Sequence, residues 1–159
     1  MRGTLALLIG LVVAAGASAQ ASGAPKASKR YGIEADLEDY PQASPKEALR
    51  SVLKAIEGNR INYLLAQLAD PPWVDQQVKQ VHGGRFDELV QETADKLAHD
   101  RSSVKELRRF LSDGTWEEAG DTASAQLKDV KSHRVYLRKL GGRWFLENRQ
   151  QPSAAGREK

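Results

Sequence analysis

Three histidines, His82, His99 and His133, are the side chains of this sequence best suited to binding a metal ion or transferring a proton. They precede a Gly-Gly pair, a predicted helix end and a predicted strand, respectively. No two share the i, i+4 spacing that would place two imidazoles on one helical face. We therefore predict no metal site, since a histidine near a helix end has a sufficient role in bonding the last carbonyls.

The other motifs that carry chemistry are absent or incomplete. The chain has no cysteine, which excludes thiol catalysis, Cys-ligated metal and disulfides. Neither Gly83-Gly84 nor Gly141-Gly142 belongs to a phosphate-binding loop that follows a strand. No Gly-x-Ser-x-Gly nucleophile elbow occurs. The motifs therefore predict no catalytic residue and no cofactor.

The charge of the chain is nearly balanced, with 24 basic and 21 acidic residues. Removal of residues 1–19, whose only charged side chain is Arg2, leaves 23 basic residues against the same 21 acidic ones. This balance predicts no nucleic-acid partner. A basic strip on the last predicted helix fits a solvated face, with an anionic partner as the alternative; its members are Arg101, Lys105, Arg108 and Arg109.

The N-terminal 19 residues have the pattern of a secretory signal peptide. Arg2 is followed by an apolar run over residues 5–15 and by Ala17-Ser18-Ala19, a small-residue cleavage site. We predict export to the periplasm or the extracellular space, with cleavage after Ala19. The run is shorter than the roughly 20 residues of a membrane span, so none is predicted after cleavage. Retention as an N-terminal anchor is the alternative.

Three further parts follow the signal peptide. Residues 20–43 are predicted to be a flexible linker or arm, because they contain few apolar side chains that could offset the entropy of ordering. Tyr31, Ile33, Leu37 and Tyr40 would allow docking of a short arm. Residues 44–149 are predicted to form one domain, long enough to bury a core without disulfides. Residues 150–159 are predicted to be a disordered tail.

The domain begins with helical patterns. Ser44-Pro45-Lys46-Glu47 predicts a capping box at the start of a helix that ends at Gly58. Asn59 is predicted to cap a second helix, which Asp70-Pro71-Pro72 would stop. Apolar spacing predicts further helices over residues 73–81 and 86–97. A second capping box, from Ser103 to Glu106, predicts a last helix that ends at Ser112-Asp113-Gly114.

Four antiparallel strands are predicted over residues 116–119, 122–130, 134–140 and 143–148, with tight turns at Gly120-Asp121 and Gly141-Gly142. These turns place Leu137 opposite Leu146 and Trp116 opposite Ala125. A three-residue loop at Val130-Lys131-Ser132 has the odd length that keeps Leu127 on the same face as Leu137.

Alternation along these strands divides the side chains between two faces of the sheet. The inner face is predicted to pack on the helices and consists of Trp116, Ala123, Ala125, Leu127, Val135, Leu137, Trp144 and Leu146. The outer face carries Tyr136, Arg138, Phe145 and Glu147. Helices followed by an antiparallel meander predict an α+β fold.

Residues 44–148 resemble the nuclear transport factor 2-like superfamily, especially its exported bacterial members. The resemblance lies in Gly120, Asp121, Ala123, Ala125 and Leu127, in residues 141–146 (Gly-Gly-Arg-Trp-Phe-Leu), in residues 44–48 (Ser-Pro-Lys-Glu-Ala), and in the run from Asn59 through Leu64-Leu65 to Leu68-Ala69-Asp70. It implies N-terminal helices packed on a curved antiparallel sheet that forms a cone with a pocket. Members of this superfamily include isomerases, dehydratases and ligand binders.

Enzymes of that superfamily use a pocket acid as base, with a Tyr/Asp pair that stabilises an oxyanion. The counterparts in this sequence would be Tyr63, Asp70, Asp75 and Tyr136. None lies in a motif that aligns with the catalytic positions, so no catalytic residue is carried over. Tyr63, Trp73 and Trp116 are the candidates for lining a pocket.

The sequence therefore predicts a non-catalytic exported domain that binds a small ligand or a partner protein. One alternative is a small-pocket isomerase or hydrolase that uses a single buried acid. Another is a structural module that self-associates as a homodimer through Tyr136 and Phe145 on the outer sheet face, unless the arm or a loop covers these two rings.

Overall fold

A computed structural model describes residues 28–130 and 133–149 of this protein. The predicted signal peptide, the start of the arm and the tail at residues 150–159 lie outside the described residues. Within them the chain is an α+β protein, as predicted. The elements in chain order are β1 (Lys29–Arg30), β2 (Ile33–Glu34), α1 (Pro45–Glu57), α2 (Ile61–Tyr63), a π-helix (Leu64–Leu68), α3 (Pro71–Gln80), α4 (Phe86–His99), α5 (Arg101–Ser112), β3 (Thr115–Ala119), β4 (Thr122–Gln126), β5 (Arg134–Leu140) and β6 (Arg143–Glu147).

Helix α1 begins as predicted. The Glu47 backbone N–H donates to Ser44 Oγ at 3.3 Å, and the Ser44 N–H donates to Glu47 Oε2 at 3.1 Å. These two bonds complete the capping box, with Pro45 at the first helical position. The helix ends at Gly58, also as predicted. Its buried face, which includes Leu49 and Val52, packs on the inner face of the sheet and on the π-helix.

Two predicted helix starts are wrong. Asn59 lies at φ 52°, in the left-handed region that ends α1, and Arg60 precedes α2 without a side-chain cap. Helix α5 starts at Arg101, because Asp100 caps it by accepting the Ser103 N–H at 3.1 Å. Asp100 also accepts the hydroxyl groups of Ser102 and Ser103. A carboxylate with three donors therefore replaces the predicted Ser103 capping box.

The second helical segment changes to π-helix after Tyr63. The Ala69 N–H donates to the Leu64 carbonyl at 2.8 Å, which is an i→i−5 bond. The segment ends there, before Asp70, as predicted. Pro71 and Pro72 do not form a break between helices, because they are the first turn of α3, which therefore starts two residues before the predicted position 73. The widened turn keeps all five of its residues buried, including the polar Gln67.

The four long strands form one antiparallel sheet in the order β3-β4-β5-β6. The predicted pairings of Leu137 with Leu146 and of Trp116 with Ala125 are confirmed. The predicted three-residue loop is wrong, because β4 ends at Gln126 and Ala125 pairs with Val135. The connection covers residues 127–133, whose odd number keeps Leu127 on the inner face. Arg109 of α5 binds Asp129 at 2.6 Å and holds this connection against the helix.

The inner face of the sheet packs on α1 and α5 as predicted. Leu137 and Trp144 are buried with Leu49 of α1 and Phe110 of α5, whereas Trp116 and Leu146 are partly buried. A second core lies beyond the β6 edge, where the arm, α1, α2, the π-helix, α3 and α4 pack together. Leu146 contacts both cores.

The part of the arm that the structure describes, residues 28–43, is folded against the helices. Strands β1 and β2 form a hairpin with Tyr31 and Gly32 at positive φ. Ile33 and Tyr40 pack into the second core, and Tyr31 stacks on Phe86 with ring centroids 4.1 Å apart. These residues therefore form the docked short arm rather than a flexible linker. None of the helices in residues 28–130 and 133–149 is long and apolar enough to cross a bilayer.

Candidate functional site

Strand β6 lies at the edge of the sheet, and the side of it that does not pair with β5 is covered by two segments from earlier in the chain. The Trp144 N–H donates to the Gln42 carbonyl at 3.0 Å, and the Asp70 N–H donates to the Leu146 carbonyl at 2.9 Å. Ala69 also forms a parallel bridge with Leu146. A covered edge cannot pair with another strand. The same bonds bring Asp70 and the start of α3 to the outer face of the sheet.

A cleft of about 570 Å³ opens between the start of α3 and the outer face of the sheet, and we call it the outer cleft. Helix α3 and the residue before it supply one wall, and strands β4, β5 and β6 with the residues after β6 supply the other. The lining residues are Asp70, Pro72, Trp73, Gln76, Thr122, Arg138, Glu147, Asn148 and Arg149.

Four charged side chains cross the outer cleft in alternating sign. Asp70 Oδ2 lies 2.9 Å from Arg138 Nη2, and Arg138 Nε lies 3.3 Å from Glu147 Oε1. Glu147 in turn contacts Arg149 Nε. We call this row the charge chain. Since Asp70 and Arg138 are 68 residues apart, only the folded chain brings them together.

The acids and the bases of the charge chain differ in exposure. The Asp70 and Glu147 side chains are each 8% exposed, whereas those of Arg138 and Arg149 are 36% and 52% exposed. Among the described residues, Asp70 Oδ1 and Arg138 Nε have no hydrogen-bond partner, so the Nε contact with Glu147 is an ion pair without hydrogen-bond alignment. The carboxylates thus lie beneath the guanidinium groups, which face the cleft.

The aromatic residues of the outer face are each covered by an arginine. The Arg149 guanidinium carbon lies 4.5 Å from the centroid of the Tyr136 ring, and that of Arg143 lies 5.0 Å from the Phe145 centroid. Phe145 is only 5% exposed. The premise of an exposed Tyr136–Phe145 pair is therefore wrong for Phe145, while homodimer formation stays a prediction.

Of the three residues predicted to line a pocket, Trp73 lines the outer cleft. Tyr63 is buried in the second core, where its hydroxyl oxygen accepts the Asp36 N–H at 2.9 Å and donates to the Asp36 carbonyl at 3.2 Å. Burial raises the pKa of Tyr63. Trp116 borders the inner-face core and donates from Nε1 to the Phe110 carbonyl at 3.0 Å.

The acids considered as catalytic counterparts are in different surroundings. Asp70 is buried at the outer cleft, but Asp75 is 60% exposed and binds the arm through Arg30 and the Tyr31 hydroxyl. Partial burial, together with the hydrogen bond to Asp75, raises the pKa of Tyr31. Asp75 therefore anchors the arm, and the structure does not bring it together with Tyr63, which lies in the core.

A buried polar cluster fastens the arm to the domain. The Arg143 side chain donates from Nε at 3.1 Å and from Nη2 at 2.6 Å to Gln42 Oε1, from Nη2 at 3.0 Å to Gln67 Oε1, and from Nη1 at 3.2 Å to Ser28 Oγ. The Gln67 amide donates at 2.8 Å to the Ser28 and Ile33 carbonyls. We call these four residues, Ser28, Gln42, Gln67 and Arg143, the arm clasp.

Arg143 is only 3% exposed. Among the described residues, no carboxylate oxygen lies within 4 Å of its guanidinium nitrogens. Burial lowers the pKa of Arg143. A buried cation held by neutral oxygens depends on every one of those hydrogen bonds. No sequence motif indicated this cluster, although a glutamine within the apolar run of residues 64–68 was a usable signal.

A second cleft, of about 400 Å³, lies between α5 and the ends of β5 and β6. Leu107, Phe110 and Leu146 contribute apolar walls to it. At its rim His133 Nδ1 lies 2.6 Å from Glu106 Oε1, a contact that no sequence pattern indicated. The His133 side chain is half exposed, which is typical of a surface ion pair with little energetic consequence.

The three histidines lie apart, each with its own neighbours. His82 is buried 3.2 Å from Glu92 and 3.8 Å from Glu88. His99 Nδ1 lies 2.7 Å from the Asp95 carbonyl, which confirms the predicted role at a helix end. In the part of the chain that the structure describes, no group of three His, Asp or Glu side chains could hold a metal ion.

The basic strip of α5 is partly neutralised. Arg108 pairs with Glu57 at 2.9 Å, and Arg109 pairs with Asp129 at 2.6 Å. The hydrogen bond from Arg109 lowers the pKa of Asp129. These pairs favour the solvated face over an anionic partner on this helix.

The outer cleft is therefore the candidate site, because it combines volume, an aromatic wall and buried groups that orient accessible ones. Comparison of the chain with protein-family models, with curated proteins and with solved structures found no match.

Proposed function

We propose that this protein is an exported, non-catalytic domain that binds a small ligand in the outer cleft. The observation that carries the proposal is the charge chain, in which two buried carboxylates hold two accessible arginines against a concave surface. A preformed cleft of about 570 Å³ with a few oriented polar groups is typical of small-molecule sites. A partner protein that inserts a side chain into the cleft would use the same groups.

The resemblance to the nuclear transport factor 2-like superfamily supports a binding role, because that superfamily includes ligand binders. The α+β fold agrees with this resemblance at a coarse level. Fold by itself does not determine function, so membership in the superfamily is part of the proposal.

Binding is favoured over catalysis by the pairing within the cleft. Each acid of the charge chain has an arginine neighbour, and each arginine has an acid. Such pairs orient hydrogen-bond donors, whereas general acid–base catalysis requires a group that exchanges a proton with the substrate.

One observation favours a second candidate, a small-pocket isomerase or hydrolase. Asp70 is buried at the cleft, and its Oδ1 has no hydrogen-bond partner among the described residues. If the protein is an enzyme, a ligand found by screening will be converted to product, and Asp70→Asn will abolish the turnover. Binding without conversion in a product assay identifies the non-catalytic domain.

We expect a thermal-shift screen of the mature chain against metabolites and lipids to give a ligand that raises the melting temperature. A ligand at about 100 times its Kd stabilises the native state by about 2.7 kcal/mol. Trp73→Ala should remove the shift, since Trp73 lines the cleft, and Val81→Ala should retain it, since this exposed side chain is not part of the lining. A broad library without any hit would contradict the proposal and favour self-association, which a mass measurement in solution detects.

We propose export by cleavage of residues 1–19, and the expected mature N-terminus is Gln20. Intact-mass measurement of the protein recovered outside the cytoplasm tests this directly. A chain that keeps Met1 and sediments with membranes would instead identify the retained anchor.

A further inference from the structure

We infer that the outer cleft selects an anion, namely a small carboxylate or phosphate ester that carries a flat ring. The inference rests on the proposed ligand-binding function and adds the chemical class of the ligand. It follows from which charged groups of the cleft a ligand can contact, rather than from their net charge.

The accessible charges of the cleft are cationic. The lining contains two acids and two arginines. The side chains of Asp70 and Glu147 are 8% exposed, and those of the arginines are several times more exposed. A ligand in the cleft therefore contacts guanidinium groups first. The carboxylates beneath them hold these groups in place, so little side-chain entropy remains to be lost on binding.

The donors of these arginines are only partly used. Arg138 donates from Nη2 to Asp70, and its Nε is buried beside Glu147, so among the described residues Nη1 and the second N–H of Nη2 remain for a ligand. Arg149 engages Glu147 through Nε. A guanidinium carries five N–H donors in a planar fork that matches carboxylate and phosphate oxygens. In each arginine, a carboxylate therefore holds some of the N–H groups and orients the guanidinium. The remaining N–H groups can donate charge-assisted hydrogen bonds to an anion.

The opposite wall fits an aromatic ring. Pro72 and Trp73 lie in the first turn of α3, on the other side of the cleft from Arg138. An indole offers a flat apolar surface for stacking. The neutral side chains of Gln76, Thr122 and Asn148 complete the lining without adding an accessible negative charge. One end of the ligand is therefore anionic and the other flat.

The test uses four ring compounds that differ in charge: benzoate, phenyl phosphate, benzyl alcohol and benzylamine. The readout is the indole N–H signal of Trp73 in ¹⁵N-edited NMR spectra of the full mature chain, assigned with Trp73→Phe. We expect benzoate or phenyl phosphate to shift this signal in a saturable way, and benzyl alcohol and benzylamine to leave it unchanged. The stronger of the two anions identifies the ligand as a carboxylate or as a phosphate ester.

Two arginine variants test the assigned groups. Arg138→Gln and Arg149→Gln should each weaken binding of the anion by roughly ten-fold or more, the usual effect of losing a hydrogen bond to a charged group. Arg108→Gln is the matched control, because Arg108 is an exposed, acid-paired arginine of α5 that does not line the cleft. Arg138→Gln leaves the buried Asp70 carboxylate without its arginine partner. The double variant Asp70→Asn/Arg138→Gln also removes the charge of Asp70, so it tests the loss of the arginine without a buried unpaired charge.

Benzylamine binding as tightly as the anions, or anion binding unchanged in both arginine variants, would overturn the inference. If the thermal-shift screen gives a neutral or cationic ligand while benzoate and phenyl phosphate leave the Trp73 signal unchanged, the ligand-binding function holds and the anion class is wrong. If neither the library nor the four probes bind, both proposals fail.

Discussion

Trp144→Ala is expected to lower the free energy of unfolding by roughly 3–5 kcal/mol, because it empties a large site in a packed core. Trp144 is 1% exposed and lies on the inner sheet face, where it packs with Leu49 of α1, Phe110 of α5 and Leu137 of β5. Its place between the sheet and two helices leaves little room for the surroundings to collapse into the cavity. Urea denaturation followed by circular dichroism measures the change as a shift in the midpoint.

Val81→Ala is the control for this variant, because Val81 is 62% exposed. Truncation of an exposed side chain is expected to change stability by no more than about 0.5 kcal/mol. A loss below about 1 kcal/mol for Trp144→Ala would show that the ring does not lie in the core between the sheet and the helices.

Gln42→Leu is expected to cost about 3–5 kcal/mol, because it removes the acceptor of two N–H groups of the buried Arg143 and leaves this cation with only Gln67 and Ser28 as partners. Gln42 Oε1 accepts two hydrogen bonds from Arg143, and Gln42 Nε2 donates to the Gln67 and Trp144 carbonyls. Among the described residues, Arg143 has no carboxylate to replace the lost acceptor. The same denaturation experiment measures the loss. Gln80→Leu is the matched control, because Gln80 is an exposed amide whose side chain accepts a hydrogen bond from Gln76 at 3.2 Å.

A double variant tests the physical cause. Gln42→Leu/Arg143→Met removes the cation together with its acceptor, so its loss should be smaller than the sum of the two single losses. Strict additivity would show that the cost of Gln42→Leu does not come from a stranded guanidinium. The arm clasp would then be a set of independent hydrogen bonds.

The sequence was most informative where neighbouring residues decide the structure. The capping box at Ser44 and Glu47 and the Gly141-Gly142 turn depend on contacts within a few positions, and both are observed. The turn alone determines that Leu137 faces Leu146, and the period-two pattern then assigns Trp144 to the inner face. These local rules were sufficient for the α+β class and for the main core.

The predictions of the α5 cap and of the β4–β5 loop were wrong, because two local arrangements obey the same sequence rules at each of these places. Asp100 and Ser103 can both cap a helix, and the additional hydroxyl donors favour Asp100. A loop of three residues and a loop of seven residues between β4 and β5 both have an odd length, so either one keeps Leu127 on the same face as Leu137. The observed loop is held by the contact of Asp129 with Arg109, which lies twenty residues away and leaves no local pattern.

The sequence by itself determined the secondary structure of residues 44–149 in outline, the buried face of the sheet and the lack of a known catalytic motif. Trp73 was the one predicted pocket residue that lines the outer cleft. The tertiary structure alone decided the rest of the site, because its contacts join residues far apart in the chain. Asp70 meets Arg138 over 68 positions, and Gln42 meets Arg143 over 101. Charged and amide side chains have no periodicity that reveals such partners, since they are placed by the packing of the apolar elements that carry them.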